Sequence, residues 1–380
     1  MRNRKYNQLK IGLDARSIGS RVCGVSRVTS CLIKSLSEID RDNEYIVYTD
    51  STVLDFNLGQ NFRVCSTHCS KNNPAHDLKF YSILKKDELD LYHAMHSWFP
   101  EFIPNGIKTV VTIYDLFSFI DPQFFIKHKP FHKLFQLYFK YLTGRSVKKA
   151  DAIITISNYC KEELIKHFPL SDQKLNVIYL AEGVDNSNRV INSNTGKRII
   201  KSDYLFYLGN CRSYKNVGLL IEGFYIFLKK TEKPDLKLVI AGNDVYDSLE
   251  NKAKKLGIAE KISFFINPSD DDIKNLYANS KAFIMPSRYE GFGIPVLEAM
   301  GFGVPVIISD ADALLEVAGD AALVFNKNSP VELALAIEKI LSDDKLRRKL
   351  IENGSKRAKE FTWKSSAMKL KSLYQRVLNN

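Results

Sequence analysis

Short runs of β-branched and aliphatic residues alternate with helical patterns twice along this chain, and that rhythm leaves few folds open. In the first half the runs are IGLDA (Ile11–Ala15), EYIVYT, NFRVC, DLYHA, KTVVTIYD and AIITIS, with a helix expected around Ser26–Ser37. KTVVTI and DAIITI show no apolar–polar alternation, as expected of strands covered on both faces. Strand and helix in turn argue for a parallel sheet sheathed in helices. A polar stretch, GVDNSNRVINSNTGKR (Gly183–Arg198), then interrupts the pattern and reads as a linker. Beyond it come YLFYLGN, a helix over Asn216–Lys229, LKLVIAGN, KISFFI, KAFIMPS, VPVIIS and AALVFN. The chain thus reads as two doubly wound α/β domains, with ligands expected beyond the carboxyl ends of the strands and between the domains. The closing segment FTWKSSAMKLKSLYQRV is amphipathic, with Trp363, Ala367, Leu370 and Tyr374 at helical spacing. No strand follows it, so it must pack on something already built. The expected divisions are 1–190, 191–360 and 361–380.

Composition sets the class. At 45% hydrophobic and 26% charged, the 380 residues are those of a folded globular protein rather than a disordered one. No apolar run reaches the length of about eighteen residues that a membrane span needs, and MRNRKYNQLKIGLDAR lacks the apolar core of a secretory signal. Six scattered cysteines suit reduced thiols, so a cytoplasmic location is expected. Cys65, His68, Cys69 and His76 cluster, but their spacing departs from familiar zinc ligand sets and Cys65 ends a strand-like run.

The chemistry concentrates in SRYEGFGIPVLEAM, Ser287–Met300. KAFIMPS should end a strand and GIPVLEAM should begin a helix over Pro295–Met300. Gly291, Phe292 and Gly293 then form the connecting turn, where a ligand can approach the backbone closely. Unpaired N–H groups at Ile294 and its neighbours, with the helix dipole behind them, suit a phosphate or sugar hydroxyls. Glu298 would lie on that helix, where a carboxylate can accept two hydrogen bonds from a vicinal diol such as ribose. Glu290, before the turn, would sit nearer the other end of the ligand. Both glutamates ride on one turn-and-helix element and cannot easily flank a single bond, which argues against a paired-carboxylate mechanism.

The stretch PSRYEGFGIPVLEAMGFGVPVIIS closely resembles the signature of nucleotide-sugar glycosyltransferases of family four, the retaining group with the GT-B fold. The opening IGLDARSIGSRVCGVSRVTSCLIKSL is similar to that family's first strand and donor-facing glycine loop, with Gly24 at the turn. YLGNCRSYKNVGLLIEGF resembles the strand and helix that open the second domain, where Arg212 and Lys215 match the cations that hold the donor diphosphate. LVIAGN, SDDDIKNLYANSKAFIMPS and LLEVAGDAALVF follow in matching order. The resemblance implies two Rossmann-like domains facing a central cleft, acceptor in the first and nucleotide sugar in the second, with the last helix crossing back to the first. It implies retaining transfer of a hexose, from GDP-mannose or a UDP-hexose, to a saccharide or lipid-linked acceptor. The implied roles are donor-sugar hydroxyls for Glu290, ribose for Glu298, and no metal, because cationic side chains replace it. At the end of TVVTIYDL the family usually has His-Asp; this chain has Tyr114-Asp115, and a phenol exchanges hydrogen bonds without titrating near neutrality. Leu315 stands where a proline usually precedes Glu316.

Competing classes fare worse. No GxGxxG follows the first strand, as a dinucleotide-dependent dehydrogenase would need. The net charge of +12 fits a nucleic-acid binder, but no recognised binding motif accompanies it. A nucleotide-sugar-binding homologue without turnover is the alternative that Tyr114 leaves open. Asp310-Ala311-Asp312 superficially resembles a metal-binding DxD, but it follows VPVIIS in a loop, and Asp270-Asp271-Asp272 is expected to cap a helix starting near Ile273. Finally, no acid falls between Asp121 and Asp151, whereas Lys127, Lys129, Lys133, Lys140, Arg145, Lys148 and Lys149 do, interleaved with aromatics from Phe124 to Tyr141. Phe131, Leu134, Phe135, Tyr138 and Leu142 should share one helical face. Segment 122–150 reads either as a core-packing helix with a solvated basic side or as a dock for anionic lipid headgroups, giving peripheral attachment to the inner face of a membrane.

Overall fold

The computed structural model describes residues 8–18, 24–50, 57–70, 73–116, 119, 132–183, 198–231, 235–244 and 247–379. The chain divides into two units, Met1–Leu180 with Thr362–Asn380, and Ala181–Phe361. Residues 184–197 of the expected linker lie outside the described residues, as do Phe124, Phe125, Lys127, Lys129 and Phe131.

In the first unit the elements run β1 (Lys10–Asp14), α1 (Gly24–Ile39), β2 (Glu44–Thr49), β3 (Phe62–Ser66), α2 (Asp77–Asp87), β4 (Leu91–Ala94) and β5 (Lys108–Ile113). They continue with α3 (His132–Lys149), β6 (Ala152–Thr155), α4 (Asn158–His167) and β7 (Leu175–Val177). All strands pair in parallel in the order β3-β2-β1-β4-β5-β6-β7. The inner strands are buried on both faces, which is why KTVVTI carries no polar alternation. Three-residue β7, at the edge, is too short to leave a periodic mark, and the sequence reading passed over it.

The second unit repeats the scheme with β8 (Tyr204–Leu208), α5 (Val217–Lys230), β9 (Lys237–Gly242), α6 (Asp247–Lys255), β10 (Ile262–Ile266), α7 (Asp270–Asn279) and β11 (Ala282–Met285). Then follow α8 (Ile294–Gly301), β12 (Val306–Ser309), α9 (Asp312–Ala318), β13 (Ala322–Phe325), α10 (Pro330–Ser342) and α11 (Asp344–Ala358). Its parallel sheet has the order β10-β9-β8-β11-β12-β13. Two local expectations are corrected. Helix α7 starts at Asp270, not near Ile273: Ser269 is the cap, its hydroxyl accepting from Asp272 N while Asp272 accepts from Ser269 N. The aspartates therefore form the first turn, where their charge meets the helix dipole. Asp312 opens α9 rather than sitting in a loop, and Asp310 accepts the backbone N–H of Lys327.

The last helix, α12 (Trp363–Asn379), packs on the first unit, burying Ala367, Leu370, Leu373 and Tyr374 against Leu32, Ile33 and Leu36 of α1. Each large apolar side chain so buried stabilises the packing by roughly 1.5–3 kcal/mol. A buried polar chain adds direction to this contact. His93 of β4 bonds Tyr374 Oη through Nδ1 at 2.6 Å and Thr112 Oγ1 of β5 through Nε2 at 2.8 Å. Burial, with His96 nearby, pushes the His93 pKa down to about 3, and Asp14 only partly opposes this.

That depression sets a pH window. The unfolded imidazole titrates near ~6.5, so its contribution to stability is complete above that pH and is lost as pH falls toward the folded value of about 3. We expect His93→Gln, which can keep both hydrogen bonds, to flatten the acid limb of melting temperature against pH across this window. The contribution at stake is on the order of a few kcal/mol. Parallel acid limbs for wild type and variant would show that His93 is not the group responsible.

Candidate functional site

In the second unit the chain turns from one side of the sheet to the other between β8 and β11, which are hydrogen-bonded neighbours. Such a switch point leaves room beyond the carboxyl ends of the two strands, because their following loops diverge. Those loops carry the residues singled out from sequence.

After β8 the chain makes a tight turn at Ser213–Lys215. Asn216 follows in the left-handed region at φ 59°, a conformation asparagine tolerates better than most residues. Its buried amide donates to Pro286 O at 3.2 Å and to Lys327 O at 2.8 Å. Arg288 N donates to Tyr214 O at 2.8 Å, so the loops after β8 and β11 are sewn together through backbone. Lys215 Nζ then reaches Glu290 Oε1 at 2.6 Å, and Ser287 Oγ donates to the same oxygen at 2.7 Å. The ion pair is largely out of water, with Glu290 only 7% exposed. Breaking such a pair on one side would strand the other charge. Arg212, at the start of the turn, is exposed.

Beyond Glu290, Gly291, Phe292 and Gly293 are buried, and α8 begins at Ile294 with Gly293 as its cap. Pro295 has no N–H, and Val296 N donates to Gly293 O, so any ligand contact with backbone donors of this turn falls to residues 291–294. Glu298 is 3% exposed. Its Oε2 accepts from Tyr277 Oη of α7 at 3.0 Å and its Oε1 from Gly183 N at 3.2 Å. These two bonds fix the direction of the carboxylate. Tyr277, Ser287 and Gly183 were missed in the sequence; Tyr277 and Gly183 reach Glu298 from elsewhere in the chain, Ser287 reaches Glu290 across the loop, and no local pattern marks them.

The remaining residues named from sequence lie in the first unit. Gly24 is the first residue of α1, where a Cβ would meet nothing within 4 Å. Tyr114 directly follows β5, buried, its Oη donating to Met95 O at 3.4 Å, with half-buried Asp115 next to it. The sequence reading overlooked a buried cluster at this unit's own switch point, between β1 and β4. Arg16 grips Asp14 with two bonds, at 2.9 and 2.7 Å, and Tyr92 Oη bonds the same carboxylate at 2.5 Å. His96 Nε2 lies 3.2 Å from Asp14. Burial alone would raise the Asp14 carboxyl pKa, but Arg16 and His96 outweigh it and hold it well below the usual range. Cys69 and His76 take structural partners, Cys69 Sγ donating to Thr67 O and His76 Nδ1 accepting from Ser70 N. Among the described residues no group of three or more His, Cys, Asp or Glu is placed to hold a metal ion.

Segment 122–150 is described from His132 on, as α3. Here the expected shared face is corrected: Leu142 is buried, whereas Leu134 and Tyr138 are exposed. The inward face is instead set by Leu142, Ser146 and Val147.

Gly293 gives a direct test of the turn. Its φ is +104°, and a Cβ would come within 2.7 Å of Leu314 Cδ2. We expect Gly293→Ala to destabilise the protein by about 1–3 kcal/mol through backbone strain alone, with the clash in addition. Adding Leu314→Ala removes the clash but not the strain, so it should bring no recovery beyond the clash term in urea unfolding. Wild-type stability of Gly293→Ala would show that the turn does not need its glycine.

Comparison with known proteins bears on the whole arrangement. Residues 22–185 match the family model for Glycosyltransferase Family 4, and residues 192–357 match that for Glycosyl transferases group 1. O-antigen chain mannosyltransferase B of Escherichia coli is 26% identical over 294 residues, 75% of this chain and 74% of that protein. O-antigen chain mannosyltransferase RfbU of Salmonella typhimurium is 29% identical over 238 residues, 63% of this chain and 62% of that protein. Among solved structures, sucrose-phosphate synthase from Thermosynechococcus elongatus superposes with a TM-score of 0.75 at 17% identity, covering 98% of this chain and 100% of that one. That likeness establishes the two-sheet GT-B architecture. With both halves matched and the fold shared, the chain belongs to the group 1 glycosyltransferases of family four.

Proposed function

We propose that this glycosyltransferase moves a hexose from a nucleoside diphosphate sugar to a hydroxyl of a saccharide or lipid-linked acceptor, with retention and without a metal ion. The observation that carries this reading is the buried Lys215–Glu290 pair, bound to the turn that presents Arg212. Loss of a nucleoside diphosphate leaves negative charge on the leaving oxygens. Fixed cations in a site with little water stabilise that charge without reorganising. Arg212 and Lys215 supply the cations, and the turn at Gly291, Phe292, Gly293 and Ile294 supplies backbone contacts to the donor. Glu290 Oε2, outside both bonds that hold Oε1, is the oxygen suited to donor-sugar hydroxyls. Glu298, oriented by Tyr277, is suited to a ribose diol. Gly24 is a further proposed donor-binding residue.

No side chain is assigned as nucleophile. Retention then requires the acceptor oxygen to bond to the anomeric carbon on the face the diphosphate leaves, its proton passing to the departing phosphate oxygen. Tyr114 and Asp115 are the first unit's contribution to catalysis, a phenol standing in for the family's histidine. The two relatives named above are O-antigen chain mannosyltransferases, which favours GDP-mannose over a UDP-hexose as donor and polysaccharide assembly as the setting. An anionic membrane surface reached through 122–150 would bring a lipid-linked acceptor to an enzyme attached peripherally on the cytoplasmic side. Among the described residues no helix is long and apolar enough to cross a membrane. A second reading, donor binding without turnover, is favoured only by the Tyr114 phenol being engaged with Met95 O.

Incubation with GDP-mannose and UDP-hexoses, and assignment of the product anomer by NMR, tests the proposal. Release of nucleoside diphosphate without a glycosylated product, or an inverted anomer, would overturn it. Arg212→Ala and Lys215→Ala should each lower turnover by roughly 10²-fold or more, and EDTA should leave wild-type turnover intact. Glu298→Ala should weaken donor binding by about 1.5–3 kcal/mol through the lost ribose bonds. Unchanged calorimetric affinity for both donor and free nucleoside diphosphate would remove Glu298 from the site.

A further inference from the structure

The turn at residues 291–294 is backed by two side chains that the proposed chemistry does not use. Gly291 and Gly293 have no side chains to anchor them, so this backbone is held chiefly through Phe292, which is 2% exposed. The Phe292 ring meets that of Phe361 edge-on, with centroids 5.8 Å apart and planes at 76°. Leu314 of α9 closes on Gly293, where a Cβ would lie 2.7 Å from Leu314 Cδ2. A ring against Phe292 and a leucine against Gly293 thus set where the turn sits, from elements well apart in sequence.

Arg357 fastens both. Helix α11 lies close on α8, a Cβ on Gly354 falling 3.0 Å from Met300 Cγ. Three residues further on, the Arg357 guanidinium carbon sits 4.8 Å from the centroid of the Phe361 ring. Its Nε donates to Val317 O at 2.9 Å and its Nη2 to Glu316 O at 2.8 Å. These carbonyls belong to the last turn of α9, where a helix leaves acceptors without intrahelical partners and favours a cation. Nη1 bonds the Glu360 carboxylate, so all three nitrogens have protein partners. A planar fork can hold two carbonyls while its face covers a ring; a lysine ammonium cannot.

We propose that Arg357 is a positioning residue for the donor. By tying Phe361 to the end of α9 it fixes Phe292 and Leu314 together, and with them the backbone N–H groups of residues 291–294. It acts through these contacts and not on the donor itself. That the turn meets a donor rests on the transferase reading; that Arg357 orders the turn stands on the geometry.

The test uses the full chain with Arg357→Met, Arg357→Lys and Phe361→Leu. Ile337→Val, a buried change on α10, controls for general loss of stability. Calorimetry with GDP-mannose and UDP-hexoses reads donor affinity, and hydrogen exchange without donor reads the turn. Arg357→Met and Phe361→Leu should each raise the donor Kd roughly tenfold, within the ~10²-fold that misplaced groups can cost. In both, amides of residues 291–294 should exchange about tenfold faster through local opening. Arg357→Lys keeps the charge but not the fork and should behave like Arg357→Met. Ile337→Val should leave both readings at the wild-type level.

A wild-type donor Kd in Arg357→Met and Phe361→Leu overturns the proposal, whether or not exchange rises. So does full recovery in Arg357→Lys, which would make the effect one of charge alone. If Ile337→Val moves both readings as far as Arg357→Met does, the role is general stability and the proposal fails. If wild type binds no nucleoside diphosphate sugar, the transferase reading fails instead, and exchange at 291–294 decides the ordering role. Faster exchange in Arg357→Met but not in Ile337→Val then supports it, and unchanged exchange overturns it.

Discussion

Parallel pairing of β8 with β11, Leu205 opposite Ala282 and Phe206 opposite Phe283, is the constraint from which the site follows. Parallel neighbours end at the same edge, so the loops that leave them start side by side whatever their separation in sequence. Because β8 leads toward β9 and β11 toward β12, those loops then part and leave an opening at the carboxyl ends. This is how Lys215 and Glu290, seventy-five residues apart, come to share a proton-bearing contact of 2.6 Å. The Asn216 amide and the Arg288 N–H hold the two loops at that spacing, so the ion pair is a consequence of backbone geometry rather than its cause.

What could be read from sequence divides along the same line. The parallel sheets were legible because strands buried on both faces are β-branched and largely apolar without alternation, as Val110–Val111 and Ile153–Ile154 are. The turn at Gly291–Gly293 was legible because a positive φ at Gly293, against Leu314, leaves glycine as the residue that fits without strain. Tyr277 on Glu298, Ser287 on Glu290 and Tyr374 on His93 were not legible. Each is a hydrogen bond to an unremarkable hydroxyl, set by tertiary geometry that no local pattern announces. Which side of α3 packs inward was not legible for a related reason. Its apolar residues nearly encircle the helix, and periodicity alone could not tell which of them meet Phe99 and Trp98 and which face water.

The two sheets share a topology but treat charge at their switch points in opposite ways. In the first unit, Asp14 is fully enclosed and receives two bonds from Arg16, one from Tyr92 and the approach of His96. Arg16 also stacks on Phe80 at 3.7 Å. A guanidinium so placed is already neutralised by its carboxylate, and pulling it away would strand a buried charge. That cluster fixes the ends of β1 and β4 and favours no anion.

In the second unit the balance differs. Lys215 has a carboxylate partner, but Arg212 on the same turn faces solvent, and the glycine turn offers backbone contacts that add no counter-charge. In the proposed function, a diphosphate there would meet one exposed cation and a second already desolvated beside Glu290. The Lys215 ammonium is held 2.6 Å from Glu290 Oε1 and largely out of water. Its charge is therefore fixed in advance, which, in the proposed reaction, is the condition under which electrostatic stabilisation of a leaving diphosphate is most effective. The same fold, used twice, thus keeps one switch point closed by internal neutralisation and leaves the other open to an anion.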